Sequence, residues 1–468
     1  MLLWLAILAY LLLQLGIGVW ASRRVHGETD YLIAGRKLGL LLVTFSLFST
    51  WFGAETVMGS AAAIAEQGIA GGRADPFGYA LCLLAMALLI AYQFRKRGYL
   101  TLGDFFRERY GRNVEVAAIC IVVPASIAWA AAQLLAFGQV LVVVSDVDLD
   151  VALMTATGLV IVYTVLGGFL GDVVTDLVQG SILIVGLVIL LVLTVVNAGG
   201  IESAIGGIEA RQLRFVNPDE GILARFDAWL IPIIGSLVAQ EAISRFLGAR
   251  SATIARRACF TAAGVYLVVG LIPVSIALIG ANMGLDIGHR DEFLPLMAKE
   301  QMPTALFVIF AGALISAILS TVDSTLLAIS SLITHNLIDP IRRRGGNAEG
   351  IERSGLGIAR LVVVIAGIVA YLVAQEGDTI FSLVEMSSSF GTAGIVVTVL
   401  LGLWWRRGGA MAAFLALVAG VATTILGGYF LDLDAPFLTS LAVSLTVFVV
   451  AAVVHTDQSV DKPVRAGV

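Results

Sequence analysis

Residues 314–331, LISAILSTVDSTLLAISS, set Ser316, Ser320, Thr321, Asp323 and Ser324 inside an apolar run, where polar groups are costly. Ala317, Ser320, Thr321 and Ser324 fall at i, i+3, i+4 and i+7 and share one helical face. Ser320, Asp323 and Ser324 make a second, overlapping face. Hydroxyls and one carboxylate, with no Cys or His, form a hard oxygen-donor set. Such a set suits a small hard cation such as Na⁺ rather than zinc or copper. The same residues also suit a plainer role, hydroxyls that join helices or bond back to carbonyls one turn earlier.

Two other apolar segments are interrupted in a comparable way. Segment 39–66 carries Ser46, Ser49, Thr50, Gly53, Glu55, Thr56, Gly59 and Ser60; segment 227–248 carries Pro232, Gly235, Ser236, Gln240 and Glu241. Polar, glycine-dotted helices are where membrane proteins unwind to expose carbonyls to ions and solutes, although Gly and Ser also simply permit close packing. Near 173–197, Asp172, Thr175, Asp176 and Gln179 form an i, i+3, i+4, i+7 stripe. Asp176 is deep enough to need a partner: a bound cation, a proton or an Arg/Lys. Arg245, at the end of its segment, reads most simply as a cytoplasmic anchor, with a gating ion pair as the alternative.

The elements that position these residues follow from composition. The chain has 468 residues, 59% hydrophobic and 13% charged, with a mean hydropathy of +0.96. These values mark a polytopic, all-α membrane protein. Cys82, Cys120 and Cys259 form neither a disulfide framework nor a metal-ligand spacing, and His26, His289, His335 and His455 form no HExxH. No phosphate-binding loop, nucleophile elbow or nucleic-acid patch stands out. The expected partners are the lipid bilayer and a small organic solute, with no nucleic acid and no obligate protein partner.

Thirteen segments of spanning length are expected. They divide into a leading helix and loop (1–38), a first repeat (39–197), a second repeat (227–404), two trailing helices (405–456) and a short tail (457–468). The first run lacks a basic start, which favours a retained helix over a cleaved signal. Of 29 Lys and Arg residues, 23 fall on one set of connections, so the positive-inside rule predicts an outside N-terminus and an inside C-terminus in the cytoplasmic membrane. Residues 101–110, TLGDFFRERY, read as an amphipathic helix along the cytoplasmic interface. A tail of this length is expected to hold no ATPase, so any transport is expected to draw on an ion gradient or the solute's own gradient. The two interrupted segments stand five apart, the rhythm of two inverted five-helix repeats that each open with a broken helix.

In this order, several motifs resemble the sodium:solute symporter family over residues 1–430. They are Tyr31-Leu32-Ile33-Ala34-Gly35-Arg36, Gly167-Gly168 with Thr175-Asp176 and Gln179, Gln240 with Arg245, and Ser320-Thr321-Val322-Asp323-Ser324. The resemblance implies a LeuT-type five-plus-five inverted repeat with extra helices, and Na⁺-driven uptake of an organic solute. It implies a principal Na⁺ site from the carbonyls of Ser49, Phe52 and Ala317 and the hydroxyls of Ser320 and Thr321. Some members have a second cation site, for which Asp176, Ser320, Asp323 and Ser324 match. Asp323 departs there from the usual hydroxyl, so two carboxylates could hold Na⁺ or share a proton.

Ser49-Thr50-Trp51-Phe52-Gly53, Pro76-Phe77-Gly78-Tyr79, Arg97-Gly98-Tyr99-Leu100-Thr101 and Trp129-Ala130-Ala131-Ala132 further resemble the high-affinity choline transporter branch. That likeness implies an aromatic cage for a quaternary ammonium, with Trp51, Tyr79 and Trp129 on matching positions and Thr56, Ala239 and Gln240 beside them. Ala239 stands where the branch has an aromatic wall, and an acidic residue of the branch is replaced near Ser388 and Ser389. The function expected is Na⁺-coupled symport of a small organic solute, choline or another amine. A proton-coupled symporter and a solute sensor built on the same fold are the alternatives; an intramembrane enzyme has no support in the sequence.

Overall fold

The structure, a computed structural model, describes Gly16 and residues 34–145, 147–166, 169–284, 289–344, 348–405 and 407–454. The expected leading helix at 1–21, the motif residues Tyr31, Leu32, Ile33, Gly167 and Gly168, and the tail lie outside the described residues. The described chain is helical. Among these residues β-pairing is confined to a bridge between Leu38 and Ala249.

Helix α1 runs Leu40–Trp51 and resumes at Glu55–Gln67 after a 50° bend. At the break Phe52 adopts φ −82°, ψ 85°, and Gly53 N–H donates to Trp51 O at 3.1 Å. This is an inverse γ-turn, which takes the Phe52 carbonyl out of the helical ladder. Helix α2 comprises Ala74–Leu89 and Ala91–Arg97, bent by 46°. Helices α3 (Arg112–Ser145), α4 (Leu149–Leu166) and α5 (Phe169–Asn197) follow. Helix α6 is broken at Ala239, between Ile222–Val238 and Gln240–Leu247, with a 49° bend. Pro232 lies inside its first half and removes an N–H from the ladder.

Helix α7 is Ala252–Gly280, α8 is Thr304–Ser331 and α9 is Ala348–Gln375. Helix α10 is also broken, between Ile380–Ser389 and Thr392–Trp404, with a 44° bend. Its hinge is Gly391, at φ 66°, a left-handed conformation that glycine adopts without Cβ strain. Helices α11 (Ala410–Ile425) and α12 (Pro436–Val454) pair beside α10. Seven of the described helices are long and apolar enough to cross a membrane, or up to eleven spans if each bent pair counts as one. Residues Leu149–Val165 form a shorter apolar helix.

Two groups of helices pack separately. Helices α1, α2, α6 and α7 contact one another, as do α3, α4, α8 and α9, and α5 lies against α1, α7 and α8. The seam between the groups holds the Ser/Thr-rich face of α8 and the break of α1. The helix Leu102–Tyr110 begins with a capping box between Thr101 and Asp104. It is anchored rather than free on a surface: Leu102, Phe105, Phe106 and Tyr110 are buried. Asn336, past the end of α8, donates to Glu115 Oε1 at 2.8 Å and Asp104 Oδ1 at 3.1 Å. Burial alone would raise the Asp104 carboxyl, but the His335 imidazole and the backbone N–H groups of Leu100 and Thr101 outweigh it and hold the carboxyl below its ordinary value.

Glycine sets the closest approach between the two broken helices α6 and α10. A Cβ on Gly235 would lie 2.1 Å from Ser388 O, a backbone atom that cannot swing away. Gly235→Ala is therefore expected to lower stability by about 1–3 kcal/mol. Gly264→Ala, with open space around its Cβ, should cost nothing. Thermal unfolding of the two detergent-solubilised variants checks this, and equal midpoints would contradict the close packing.

Candidate functional site

The α1 break faces α8. Thr321 Oγ1 lies 2.9 Å from Ala317 O and 3.4 Å from Ser49 O, and Ser320 Oγ lies 3.1 Å from Ala317 O. Ser49 O, Ala317 O, Ser320 Oγ and Thr321 Oγ1 therefore converge in one buried place. A Cβ on Gly53 would sit 3.9 Å from Thr321 Oγ1 and 4.0 Å from Ala317 O, so the α1 backbone runs alongside. Four of the five residues expected around the principal site, Ser49, Ala317, Ser320 and Thr321, meet here, and the fifth, Phe52, sits at the adjacent γ-turn. Their donors are uncharged oxygens, which suits a monovalent hard cation.

Asp176, on α5, sits next to that junction and is fully buried. Ser46 Oγ donates to its Oδ2 at 2.9 Å and Ser320 Oγ to its Oδ1 at 3.0 Å. Its charge partner is Arg245, whose guanidinium lies 3.4 Å from Oδ2 and whose Nε donates to Thr50 Oγ1 at 3.0 Å. The reading of Arg245 as a cytoplasmic anchor is thereby corrected. Its side chain has no solvent exposure, and the 49° bend of α6 turns the second half inward, carrying Arg245 into the protein. A buried ion pair with Asp176 is the arrangement observed.

The residues expected at a second cation site are only partly gathered. Asp323 lies within electrostatic range of Asp176 and Arg245, yet neither of its buried oxygens accepts a hydrogen bond. The Thr164 hydroxyl is beside it but donates to Val160 O at 2.8 Å. Ser324 Oγ donates to Thr321 O of its own helix at 3.1 Å.

The aromatic residues divide between two cavities. Trp51 and Trp129 line one with Ser126, Ala239, Gln240 and Glu241, and its volume of about 30 Å³ holds about one water. Tyr79 stacks against Trp51, with ring centroids 5.2 Å apart, and faces a second cavity of about 200 Å³. Arg73 lines that cavity and also a larger one of about 540 Å³; it donates to Glu220 Oε2 at 2.6 Å. Gln240 uses its amide elsewhere: Oε1 accepts Leu102 N–H at 2.8 Å and Nε2 donates to Ser244 Oγ at 2.9 Å. Thr56 Oγ1 turns to Asp75 Oδ2, 2.7 Å away, and to Tyr266 OH, 2.8 Å away.

Two polar residues in this core escaped sequence reasoning. Asp75 follows Ala74 at the mouth of an apolar run and reads as loop, yet it is fully buried. Tyr266 is one aromatic among many on α7, and only its hydroxyl contacts distinguish it. A third, Asp227 on α6, caps the start of α12 by accepting from Phe437 N–H at 3.3 Å.

With this geometry in place, comparison with known proteins is informative. Residues 31–420 match the family model described as the sodium:solute symporter family. The chain is 27% identical over 448 residues to the high affinity choline transporter 1 of Homo sapiens, covering 91% of this chain and 76% of that protein. It is also 27% identical over 440 residues to the high-affinity proline transporter PutP of Bacillus subtilis, covering 88% and 89%. The solved structure of a Na⁺-coupled sialic acid symporter in a substrate-bound outward-open state superposes with a TM-score of 0.80 at 20% identity, over 97% of each chain. That likeness shows the fold. These relatives are transporters rather than enzymes and agree with the multi-pass helical architecture. By a match that spans most of its length, the chain belongs to the sodium:solute symporter family.

Proposed function

We propose that the protein is a secondary active transporter that couples Na⁺ entry to uptake of a small organic solute. The observation that carries this reading is the convergence of Ser49 O, Ala317 O, Ser320 Oγ and Thr321 Oγ1 beside the inverse γ-turn at Phe52. A cation held there bridges α1 in one packing group to α8 in the other. Trp51, adjacent to Phe52, lines the 30 Å³ cavity and packs against Tyr79, which lines the 200 Å³ one. Fixing the break for the ion therefore also fixes a surface available to the solute. Coupling of this kind is reciprocal: solute binding must raise Na⁺ affinity by the same factor. Alternating access follows if the two groups rock about the occupied junction.

Ser320→Ala with Thr321→Ala is expected to raise the Na⁺ concentration for half-maximal uptake at least tenfold in proteoliposomes. Trp404→Ala, on an exposed side chain, should leave it unchanged. An unaltered Na⁺ dependence in the double variant would remove the assignment.

The Asp176–Arg245 pair gives a separate expectation. Asp176→Asn removes the carboxylate paired with a buried guanidinium, and breaking a buried pair by removing one partner costs about 3–5 kcal/mol. Adding Arg245→Met should recover much of that loss in thermal unfolding. A double variant no more stable than Asp176→Asn would show that the two charges do not act as a pair.

Asp323 favours a second coupled ion, because two buried oxygens without donors call for a Na⁺ or a proton. Asp323→Asn is expected to change either the Na⁺-to-solute ratio or the pH dependence of uptake. If direct flux measurements show neither, α8 supports one ion only.

A further inference from the structure

We infer that the solute is a protonated primary or secondary amine, held through its N–H groups by Glu55 in the 200 Å³ cavity, with Asp75 as the neighbouring second carboxylate. This inference rests on the transport reading and gives it a chemical class. Glu55, on the resumed half of α1, lines the cavity with Tyr79, Pro232, Phe381 and Glu385. It is 1% exposed, and neither of its oxygens accepts a hydrogen bond. The Tyr79 hydroxyl lies beside this carboxylate, but its contact is with Ser388 Oγ, 3.4 Å away. Asp75 is within Coulomb range of Glu55. Its Oδ2 is satisfied by Thr56 at 2.7 Å and Tyr266 at 3.0 Å, whereas Oδ1 has no partner. Among the described residues, no Lys or Arg forms an ion pair with either carboxylate.

Three buried acceptor oxygens on two neighbouring carboxyl groups thus await a ligand. The carboxylates ask for a cation, because burying them without compensation is unfavourable. The orphaned oxygens ask for hydrogen-bond donors, because an unsatisfied buried acceptor bears its full desolvation penalty. A sugar or polyol meets only the second demand, and a quaternary ammonium only the first. An ammonium group with N–H bonds meets both. The cavity is smaller than the roughly 300 Å³ at the low end of pockets for drug-sized ligands, so the amine is small. Tyr79 and Phe381 provide ring faces for its positive end.

The test uses the full chain with four probes of one skeleton: ethanolamine, N,N-dimethylethanolamine, choline and ethylene glycol. They carry three, one and no N–H donors on a cation, and no charge, respectively. Binding is read by thermal shift and by competition, and uptake in proteoliposomes under an inward Na⁺ gradient. Ethanolamine is expected to bind at least tenfold more tightly than choline, with dimethylethanolamine between them and ethylene glycol without effect. Glu55→Gln should weaken ethanolamine at least tenfold and choline by a smaller factor, because choline loses only charge attraction whereas ethanolamine also loses hydrogen-bond acceptors, and Asp75→Asn should act in the same direction. A Na⁺-dependent midpoint shift retained by each variant verifies its fold. Choline as tight as ethanolamine, binding of none of the four, or an unchanged ethanolamine affinity in a folded Glu55→Gln overturns the amine assignment. Absence of any Na⁺-dependent shift in the unaltered protein fails the transport reading instead.

Discussion

The ion pair between Asp176 and Arg245 organises the centre of the molecule. Neither side chain reaches solvent, so neither charge is tolerable alone. Their surroundings come from four helices: Ser46 and Thr50 from α1, Asp176 from α5, Arg245 from α6 and Ser320 from α8. Such a pair adds little stability over an apolar replacement, but it fixes which surfaces meet. It holds the second half of α6 against α1 and α5, immediately beside the oxygen-lined junction of α1 with α8. The two half-helices that must move if the packing groups rock are thereby joined through one guanidinium.

Three kinds of polar burial then stand side by side. The α1–α8 junction presents neutral oxygens that already bond within the protein. The Asp176–Arg245 pair is internally neutral. Glu55, Asp75 and Asp323 are acidic groups with oxygens that nothing in the described protein satisfies. Their locations differ as well: Asp323 faces the α4 side of the scaffold, whereas Glu55 opens on a cavity. A membrane protein that retains uncompensated carboxylates in its core keeps them for a ligand or an ion.

The broken helices α1 and α6 were legible in the sequence because polar residues, Gly and Pro interrupt long apolar runs there. The α8 cluster was legible for the same reason, through hydroxyls at helical spacing. The break in α10 is not legible, since a single Gly391 in an apolar run gives no sign of its left-handed backbone. Arg245 was misread because sequence places it at a segment end, and only the bend at Ala239 turns that end inward. Asp75 was missed because an acidic residue next to Arg73 and Pro76 looks like loop. Its burial depends on Tyr266 and Thr56, which lie far from it or behind it in the chain. Periodicity shows which face of a helix is polar; it does not show which distant helix that face will meet.

Ser320 has one hydroxyl hydrogen and two neighbouring acceptors, Asp176 Oδ1 at 3.0 Å and Ala317 O at 3.1 Å. Directed at Ala317 O, the hydrogen points along its own helix and neutralises a carbonyl the ion would need. Directed at Asp176, it turns the Ser320 lone pairs toward the junction and leaves Ala317 O with the Thr321 hydroxyl as its side-chain donor. The two orientations of one O–H dipole thus correspond to a closed and an open ligand set. Selection between them falls to a carboxylate on another helix, itself shared with a guanidinium. Through that single rotor, Arg245 on α6 and Asp176 on α5 bear on how the oxygens of α8 are turned toward the junction.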